Sequence, residues 1–340
     1  MRMKSPEIYV TIGPWCTDQL PDTIESLLEK GIHCFRFNMA KYGKGDQIEE
    51  RCRQISTIKA SFDGQIRIMV DVPFPGEKVR IFMEHSPILL SQRERLFIQS
   101  GRGSPKINGK LLYTNCPNIG EYVRLGERFV YGDCKNTFVV TKILGIDLIE
   151  VTSLLSGQIS SGKSISFGKV LYSDEINNNW LRCINDMEPD LLALSFVNNV
   201  ETVRRYQKRF HSAIISKIEN ENGVRNINEI SSASDIMIAR GDLMLNMDIC
   251  DFHLLQNKIA EAAHNHHKRL FVATGILSSL AERNMPTQAE INDLAFLMKL
   301  DLDGIVLNYG VVGGYLENAL HIINPVSYTH LRAHETLRHL

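Results

Sequence analysis

The sequence lacks an excess of charge of either sign, and it lacks long hydrophobic runs. Its 38 lysine and arginine residues almost balance 39 aspartate and glutamate residues, which leaves a net charge of -1 over 340 residues. Such a chain has no general attraction for nucleic acid or an anionic membrane, so an anionic ligand would need a local cluster of positive charge. No window approaches the roughly 18 apolar residues of a membrane-spanning helix, and the N-terminal segment lacks the apolar stretch of a signal peptide. We therefore expect neither nucleic acid nor membrane among its partners.

The sequence also lacks cysteine pairs. Its seven cysteines are scattered, odd in number and never spaced C-x-x-C. That pattern argues against a disulfide framework and against a zinc ribbon. It predicts a reduced, cytoplasmic location.

One phosphate-binding pattern is present without its usual context. The segment GQISSGKS, residues 157–164, matches the pattern G-x-x-x-x-G-K-[ST] at every fixed position. A P-loop needs a helix directly after the pattern, because the helix N-terminus helps to hold the phosphates. Here ISFGKVLYS follows, with aromatic and β-branched residues and no helical period, which predicts a strand or extended loop. We interpret the match as a Ser/Gly-rich hairpin turn.

Eight short β-rich runs alternate with helical stretches. They are IYVTIG, HCFRFN, RIMVDV, LLALSFV, AIISKIE, DIMIARGD, LFVATG and DGIVLN. This alternation predicts an α/β fold in which a parallel sheet closes into a (β/α)8 TIM barrel. Short strands separated by Gly, Asn and Asp predict a small antiparallel β domain at 81–166. The barrel would then comprise 1–80 and 167–325, followed by a tail at 326–340 that is disordered or foreign to the protein.

Polar and ionisable side chains stand at the ends of these strands. They are Thr11, Arg36, Asn38, Asp71, Ser195, Lys217, Glu219, Asp242, Thr274 and Asn308. TIM barrels place their chemistry at the carboxyl ends of the strands, so these groups should converge at one end of the barrel. Lys217 and Glu219 should point to the same side of one strand, and Asp242 should close the next. Two carboxylates suit Mg2+ or Mn2+, and a nearby lysine suits phosphate or enolate chemistry.

Several motifs resemble those of one family. ISKIEN at 215–220 is followed by ARGD at 239–242, and this pair closely resembles the pyruvate kinase family. Further matches, in chain order around that pair, are TIGP at 11–14, FRFN at 35–38, LALSFV at 192–197, VATG at 272–275 and PTQAE at 286–290. The resemblance covers roughly residues 8–325 and implies a TIM barrel with a β-rich lid domain inserted after its third strand.

The resemblance implies roles for the matching residues. Lys217 would contact the transferring phosphoryl group, and Glu219 and Asp242 would ligate Mg2+ or Mn2+. Arg36 would act in catalysis by binding the phosphate of phosphoenolpyruvate. The backbone at Gly241 and Asp242 would receive the carboxylate of the same substrate.

The remaining implied contacts concern proton transfer and the nucleotide. The Thr274 hydroxyl would also contact the substrate carboxylate and would lie on the proton path to the enolate carbon. Asn38, Arg80 and Lys163 would bind ADP or ATP, with Lys163 acting as a single charge from the hinge of the lid.

The sequence departs from the family pattern at the monovalent-cation site. The expected K+ ligands occupy Asn38, Ala40, Asp71 and Val72, so two hydroxyl ligands are missing. Lys78 aligns with a glutamate that K+-independent relatives replace by lysine. The resemblance therefore implies that K+ is not required and that Lys78 supplies the replacement charge.

Other departures concern the nucleotide and the end of the chain. Lys41 replaces a family histidine, residues 73–78 carry a two-residue insertion, and LNYGVV at 307–312 replaces L-S-G-E-T. The family's C-terminal effector domain has no counterpart after 325, and we expect no effector site there.

Three functions fit these observations. The first is pyruvate kinase activity in glycolysis, which transfers phosphate from phosphoenolpyruvate to ADP and gives pyruvate and ATP, with homo-oligomerisation left open. The second is a metal-dependent lyase or aldolase of pyruvate enolate, which would need Glu219 and Asp242 but neither Lys163 nor a nucleotide. The third is a non-catalytic metabolite-binding relative, which would have no need to keep the catalytic set together.

Overall fold

A computed structural model of the chain describes residues 5–13, 19–39, 46–72, 79–101, 103, 107–132, 136–166, 178–324 and 326. The chain divides into two compact units. One unit comprises Met1–Phe74, Ile176–Met244 and Asp248–Leu340, and the other comprises Pro75–Glu175 and Leu245–Met247. We call the first the barrel unit and the second the inserted β domain.

The secondary structure follows the predicted alternation. The strands are β1 (Glu7–Ile12), β2 (Cys34–Asn38), β3 (Arg67–Val72), β4 (Arg80–Phe82), β5 (Ile88–Leu90), β6 (Arg95–Ser100), β7 (Lys110–Thr114), β8 (Arg128–Tyr131), β9 (Asn136–Ile143), β10 (Leu148–Ser153), β11 (Gly157–Ile159), β12 (Lys163–Ser166), β13 (Leu191–Leu194), β14 (Ala213–Ile218), β15 (Asp235–Ala239), β16 (Leu270–Ala273) and β17 (Gly304–Leu307). The helices are α1 (Leu20–Glu29), α2 (Asp46–Ser61), α3 (Ile119–Tyr122), α4 (Asn178–Asp186), α5 (Val200–Gln207), α6 (Glu221–Arg225), α7 (Ile227–Ala233), α8 (Arg240–Asn246), α9 (Phe252–Asn265), α10 (Gln288–Met298) and α11 (Tyr309–Gly313), and residues 316–324 are also helical.

The barrel unit contains a closed parallel barrel of eight strands. Its order is β1, β2, β3, β13, β14, β15, β16 and β17, and β17 pairs back with β1. The prediction of a TIM barrel is therefore confirmed. Chain order and spatial order agree because each strand connects to its parallel neighbour through a crossover on the outside of the sheet.

Every strand of this barrel contributes apolar side chains to one interior cluster. Its members are Tyr9, Cys34, Met69, Leu191, Ala193, Ile215, Met237, Phe271, Ala273 and Val306. Tyr9 and Phe271 meet edge to face, with ring centroids 5.8 Å apart. Gly304 lies beside them because a Cβ atom there would come within 2.5 Å of the Phe271 ring. A packed interior of this kind leaves chemistry to the barrel ends.

The helices begin and end at identifiable residues. Helix α1 buries Leu20, Ile24 and Leu27 at helical spacing and is followed by Gly31 in the left-handed region at φ 77°. Helix α10 begins with a capping box in which Thr287 accepts from the Glu290 backbone and the Glu290 carboxylate accepts from the Thr287 N–H. These contacts satisfy backbone groups that the helix itself leaves unpaired.

The inserted β domain contains a second closed barrel, of seven strands, and a separate two-stranded sheet. Strands β10, β6, β7, β4, β12, β8 and β9 form the barrel, and β5 pairs with β11. The pairs are antiparallel except for β6 with β7, which is parallel. The expectation of a purely antiparallel domain is thus wrong for this one pair.

The segment with the P-loop pattern lies in this domain. Lys163 begins β12, which pairs with β4 and β8, so a strand rather than a helix follows the glycine. The prediction that the match is no P-loop is confirmed. The expected hairpin is not formed, because β11 and β12 belong to different sheets and the turn between them, with Gly162 at φ 82°, joins those sheets.

Among the described residues, no helix has the length and apolar character needed to cross a membrane.

Candidate active site

On four strands and directly after a fifth, β13, a polar residue stands two positions after an interior apolar residue. Because side chains alternate along a strand, the second residue faces the same interior at the carboxyl end. The pairs are Tyr9 and Thr11, Cys34 and Arg36, Met69 and Asp71, Ala193 and Ser195, and Ile215 and Lys217. The predicted convergence of these polar groups therefore follows from the register of the barrel.

Asp71 is the centre of the resulting network. Its carboxylate is 2% exposed and forms an ion pair with Arg36, whose Nε lies 3.2 Å from Oδ2. A second guanidinium nitrogen of Arg36 donates to the Thr11 hydroxyl at 3.0 Å. Lys217 Nζ lies 3.2 Å from Asp71 Oδ2 and 3.3 Å from Oδ1. Burial opposes ionisation of Asp71, but the charges of Lys217 and Arg36 outweigh it and hold its pKa below the ordinary value.

Lys217 is a buried ammonium with three partners, two carboxylates and one hydroxyl. Besides Asp71, its Nζ lies 3.2 Å from Glu219 Oε1 and 3.0 Å from the Ser195 hydroxyl oxygen. Burial alone would lower the pKa of Lys217, yet the negative charges of Asp71 and Glu219 raise it above the ordinary value. Lys217 therefore carries a full positive charge across the physiological range.

Glu219 and Asp242 are the candidate metal ligands. Glu219 is 2% exposed, and its Oε2 accepts the backbone N–H of Phe196 at 2.5 Å. Phe196 adopts φ 53°, a costly conformation for a large residue, which aims that N–H at the carboxylate. Asp242 is half-buried in the first turn of α8, and its charge contributes to the raised pKa of Lys217.

The donor set of this pair fits a hard divalent cation. Carboxylate oxygens are the protein ligands that Mg2+ and Mn2+ prefer, and Mg2+ commonly takes one or two of them and completes its shell with water and substrate oxygens. In the described part of the chain no group of three or more His, Cys, Asp or Glu side chains could hold a metal ion. A divalent ion bound by Glu219 and Asp242 would complete its shell with water and substrate oxygens.

The backbone around Gly241 is fixed by contacts on both sides. Arg240 forms an ion pair with Asp293, in which Nη2 donates to Oδ1 at 2.8 Å, and its guanidinium lies over the Phe252 ring at 6.0 Å. Gly241 packs against Thr274 so closely that a Cβ atom would come within 2.8 Å of the threonine Cγ2. Thr274 itself adopts φ 72°, an unusual conformation for a β-branched residue. Such strain persists only where surrounding contacts hold it, as they often do at functional sites.

Comparison with known proteins agrees with this geometry. The family model described as pyruvate kinase, barrel domain, matches residues 3–313. The chain belongs to the pyruvate kinase family. It is 31% identical over 302 residues to a pyruvate kinase of Chlamydia muridarum and 28% identical over 335 residues to one of Thermoplasma acidophilum. A solved pyruvate kinase from Cryptosporidium parvum superposes with a TM-score of 0.80 at 25% identity and covers 96% of this chain and 69% of its own.

The chain spans only part of the length of its curated relatives in this family. The match covers 85% of this chain but 61% of the Chlamydia muridarum protein, and 94% of this chain but 57% of the Thermoplasma acidophilum protein. The matched region contains the whole barrel with its candidate residues and the inserted β domain.

The nucleotide-binding candidates of the pyruvate kinase pattern lie in both units. Asn38 ends β2 in the barrel unit. Arg80 begins β4 and Lys163 begins β12, and these two strands pair in the inserted β domain. The Arg80 guanidinium donates to the Gly162 carbonyl oxygen at 2.7 Å, so Arg80 holds the backbone next to Lys163.

Some sequence predictions at the site are corrected or lie outside the described residues. Asp242 does not close a strand, because β15 ends at Ala239 and the chain turns directly into α8. Asn308 serves as the N-cap of α11, where its side chain accepts the Val311 N–H at 3.0 Å. Ala40, Lys41 and 73–78, which includes Lys78, lie outside the described residues.

Two contributions escaped the sequence reasoning, the Phe196 backbone N–H and the Asp293 carboxylate. Ser195 was expected at the end of its strand, two residues after the interior Ala193, but its bridging contact with Lys217 was not predicted.

Proposed function

We propose that this chain transfers the phosphoryl group of phosphoenolpyruvate to ADP and gives pyruvate and ATP. The observation that carries the proposal is the buried, fully charged Lys217 beside the carboxylates of Glu219 and Asp242, at the carboxyl ends of the strands in a pyruvate kinase family barrel. Phosphoryl transfer depends on positioning and on stabilising negative charge, and this arrangement supplies both. We place the reaction in glycolysis and in the cytoplasm.

Each side chain of the barrel site has one role in the proposed reaction. Lys217 contacts the migrating phosphoryl group, and Arg36, oriented by Asp71, binds the phosphate of the substrate. Glu219 and Asp242 would hold Mg2+ or Mn2+, which when bound would neutralise charge on the phosphoryl oxygens.

The carboxylate of phosphoenolpyruvate binds the backbone N–H groups of Gly241 and Asp242 and the Thr274 hydroxyl. The bond from phosphorus to the enol oxygen breaks as a β-phosphate oxygen of ADP bonds to phosphorus. The pyruvate enolate then takes a proton at its methylene carbon, and the Thr274 hydroxyl lies on that path. Arg80 and Lys163 of the inserted β domain supply positive charge for the nucleotide phosphates, and Asn38 of the barrel unit is a further nucleotide candidate.

A coupled assay with phosphoenolpyruvate, ADP and Mg2+ tests this function. We expect pyruvate to form only when all three are present, because the nucleotide is the phosphoryl acceptor. Release of pyruvate and an aldehyde from a 4-hydroxy-2-oxo acid, with Mg2+ and without a nucleotide, would indicate the lyase or aldolase instead. Tight binding of phosphoenolpyruvate without turnover would indicate the metabolite-binding relative.

We expect the reaction to proceed without K+. Both oxygens of Asp71, an expected K+ ligand, already interact with Arg36 and Lys217, and Val72 offers no hydroxyl. Lys78 remains the proposed source of replacement charge. The rate in Na+ or tetramethylammonium should stay within about twofold of the rate in K+, whereas Lys78→Glu should lower it and introduce K+ dependence. A wild-type protein that is inactive until K+ is added would contradict this expectation.

A further inference from the structure

Ser195 lies between Asp71 and Lys217 in the network of charged side chains. It directly follows β13, which is placed between β3 and β14 in the barrel. Its hydroxyl oxygen is 3.0 Å from Lys217 Nζ, 3.3 Å from Asp71 Oδ1 and 3.2 Å from the Val72 carbonyl oxygen. The hydroxyl therefore bridges the ammonium on β14 and the end of β3.

The number of protons fixes the direction of these hydrogen bonds. An ammonium has only donors, so Lys217 donates and Ser195 accepts. The single proton of Ser195 is then free to point to Asp71 or to the Val72 carbonyl. Lys217 donates to Asp71 Oδ1 and to Ser195, and Glu219 Oε1 lies at ion-pair distance from the same ammonium, 3.2 Å from Nζ. Among these three partners, only Ser195 is neutral, and it makes the shortest contact.

We propose that Ser195 is a positioning residue that sets the direction of the Lys217 ammonium for phosphoryl transfer, an inference that rests on the proposed function. Without the hydroxyl, two buried carboxylates would attract the ammonium and no third partner would define its orientation. A phosphoryl oxygen can replace Ser195 as the acceptor of this N–H group with a smaller loss of electrostatic interaction than replacing either carboxylate would cause. Turning it to the substrate breaks a contact with a neutral atom and leaves both ion pairs in place.

A matched set of serine variants isolates this role. Ser195→Ala removes the bridging oxygen, and Ser195→Thr keeps it. Ser216→Ala is the control, because Ser216 is the sequence neighbour of Lys217, is fully buried and pairs with the Ser234 hydroxyl at 2.6 Å. Side chains alternate along β14, so Ser216 faces away from the network.

The kinetic measurement separates positioning from stability. In Ser195→Ala we expect kcat to fall about ten- to a hundredfold, the scale of a slightly misplaced catalytic group, while the KM for Mn2+ stays within about twofold. Ser195→Thr should recover most of kcat. Ser216→Ala should lower the melting temperature and leave kcat unchanged. An unchanged kcat in Ser195→Ala, or an equal loss in Ser216→Ala, would overturn the inference.

A structural measurement decides the inference independently of activity. Crystal structures of the wild-type protein and Ser195→Ala should show Lys217 Nζ displaced toward Asp71 or Glu219 in the variant. An ammonium that keeps its place would overturn the positioning role even if the enzyme is active. A wild-type protein without phosphoryl transfer would overturn the proposed function, and the position of Nζ would still decide whether Ser195 orients Lys217.

Discussion

Replacing Lys217 with methionine should lower kcat for phosphoryl transfer by about two to four orders of magnitude. This loss corresponds to about 3–5 kcal/mol, the scale of one electrostatic contact that strengthens in the transition state. The ammonium is buried and fully charged, so water cannot replace its charge. Methionine fills a similar volume without that charge. The measurement is kcat in the coupled assay at saturating phosphoenolpyruvate, ADP and Mg2+.

Metal binding and two further variants control this experiment. Lys217 lies 3.2 Å from Glu219, so removing its positive charge should leave Mn2+ binding at least as tight as in the wild type. Lys217→Arg keeps the charge with another geometry and should also lose activity, because a guanidinium cannot occupy the position of an ammonium. Lys110→Met, at a partly exposed pair with Glu94 in the inserted β domain, should change kcat little, because Lys110 is not part of the barrel network. Near-normal turnover in Lys217→Met would remove the lysine from the mechanism.

The barrel could be predicted from the sequence because its strands are buried on both faces. Continuous apolar runs such as IMV at 68–70 and AII at 213–215 are typical of strands covered on both faces, and helical periods between them indicate parallel connections. The predicted strands therefore match β1, β3 and β14 to within one residue at every end. The converging polar groups could be predicted for the same reason, since alternation carries the interior face onward from Ile215 to Lys217.

Other features depend on contacts that no local pattern records. The ion pair of Arg240 with Asp293 joins residues far apart in sequence, and nothing near either one marks it. The parallel pairing of β6 with β7 likewise reflects the closure of the second barrel. The start of α1 is a local example, because Asp22 resembles a helix cap but Pro21 can occupy the first turn and the helix begins at Leu20.

Replacing Asp71 with asparagine should destabilise the barrel unit by about 3–5 kcal/mol at pH 7. Asparagine keeps the shape of the side chain, but it leaves the buried charges of Arg36 and Lys217 without their shared anion. Urea unfolding measures the cost. Far-ultraviolet circular dichroism follows the transition, because every helix named above except α3 lies wholly or mostly in the barrel unit. Glu221→Gln is the control, because the Glu221–Arg225 pair is two-thirds exposed and should contribute less than about 0.5 kcal/mol.

The cost of Asp71→Asn should depend on pH with a definite sign. The pKa of Asp71 is lower in the folded protein than in the unfolded chain, where it is about 3.9. The ionised carboxylate therefore contributes its full stability above that unfolded value, and the contribution is lost as the pH falls through the folded pKa. Asparagine does not titrate, so the difference in unfolding free energy between wild type and variant should be constant from neutral pH to about pH 5 and shrink below about pH 4. A difference that stays the same in acid would mean that the variant loses packing and not charge.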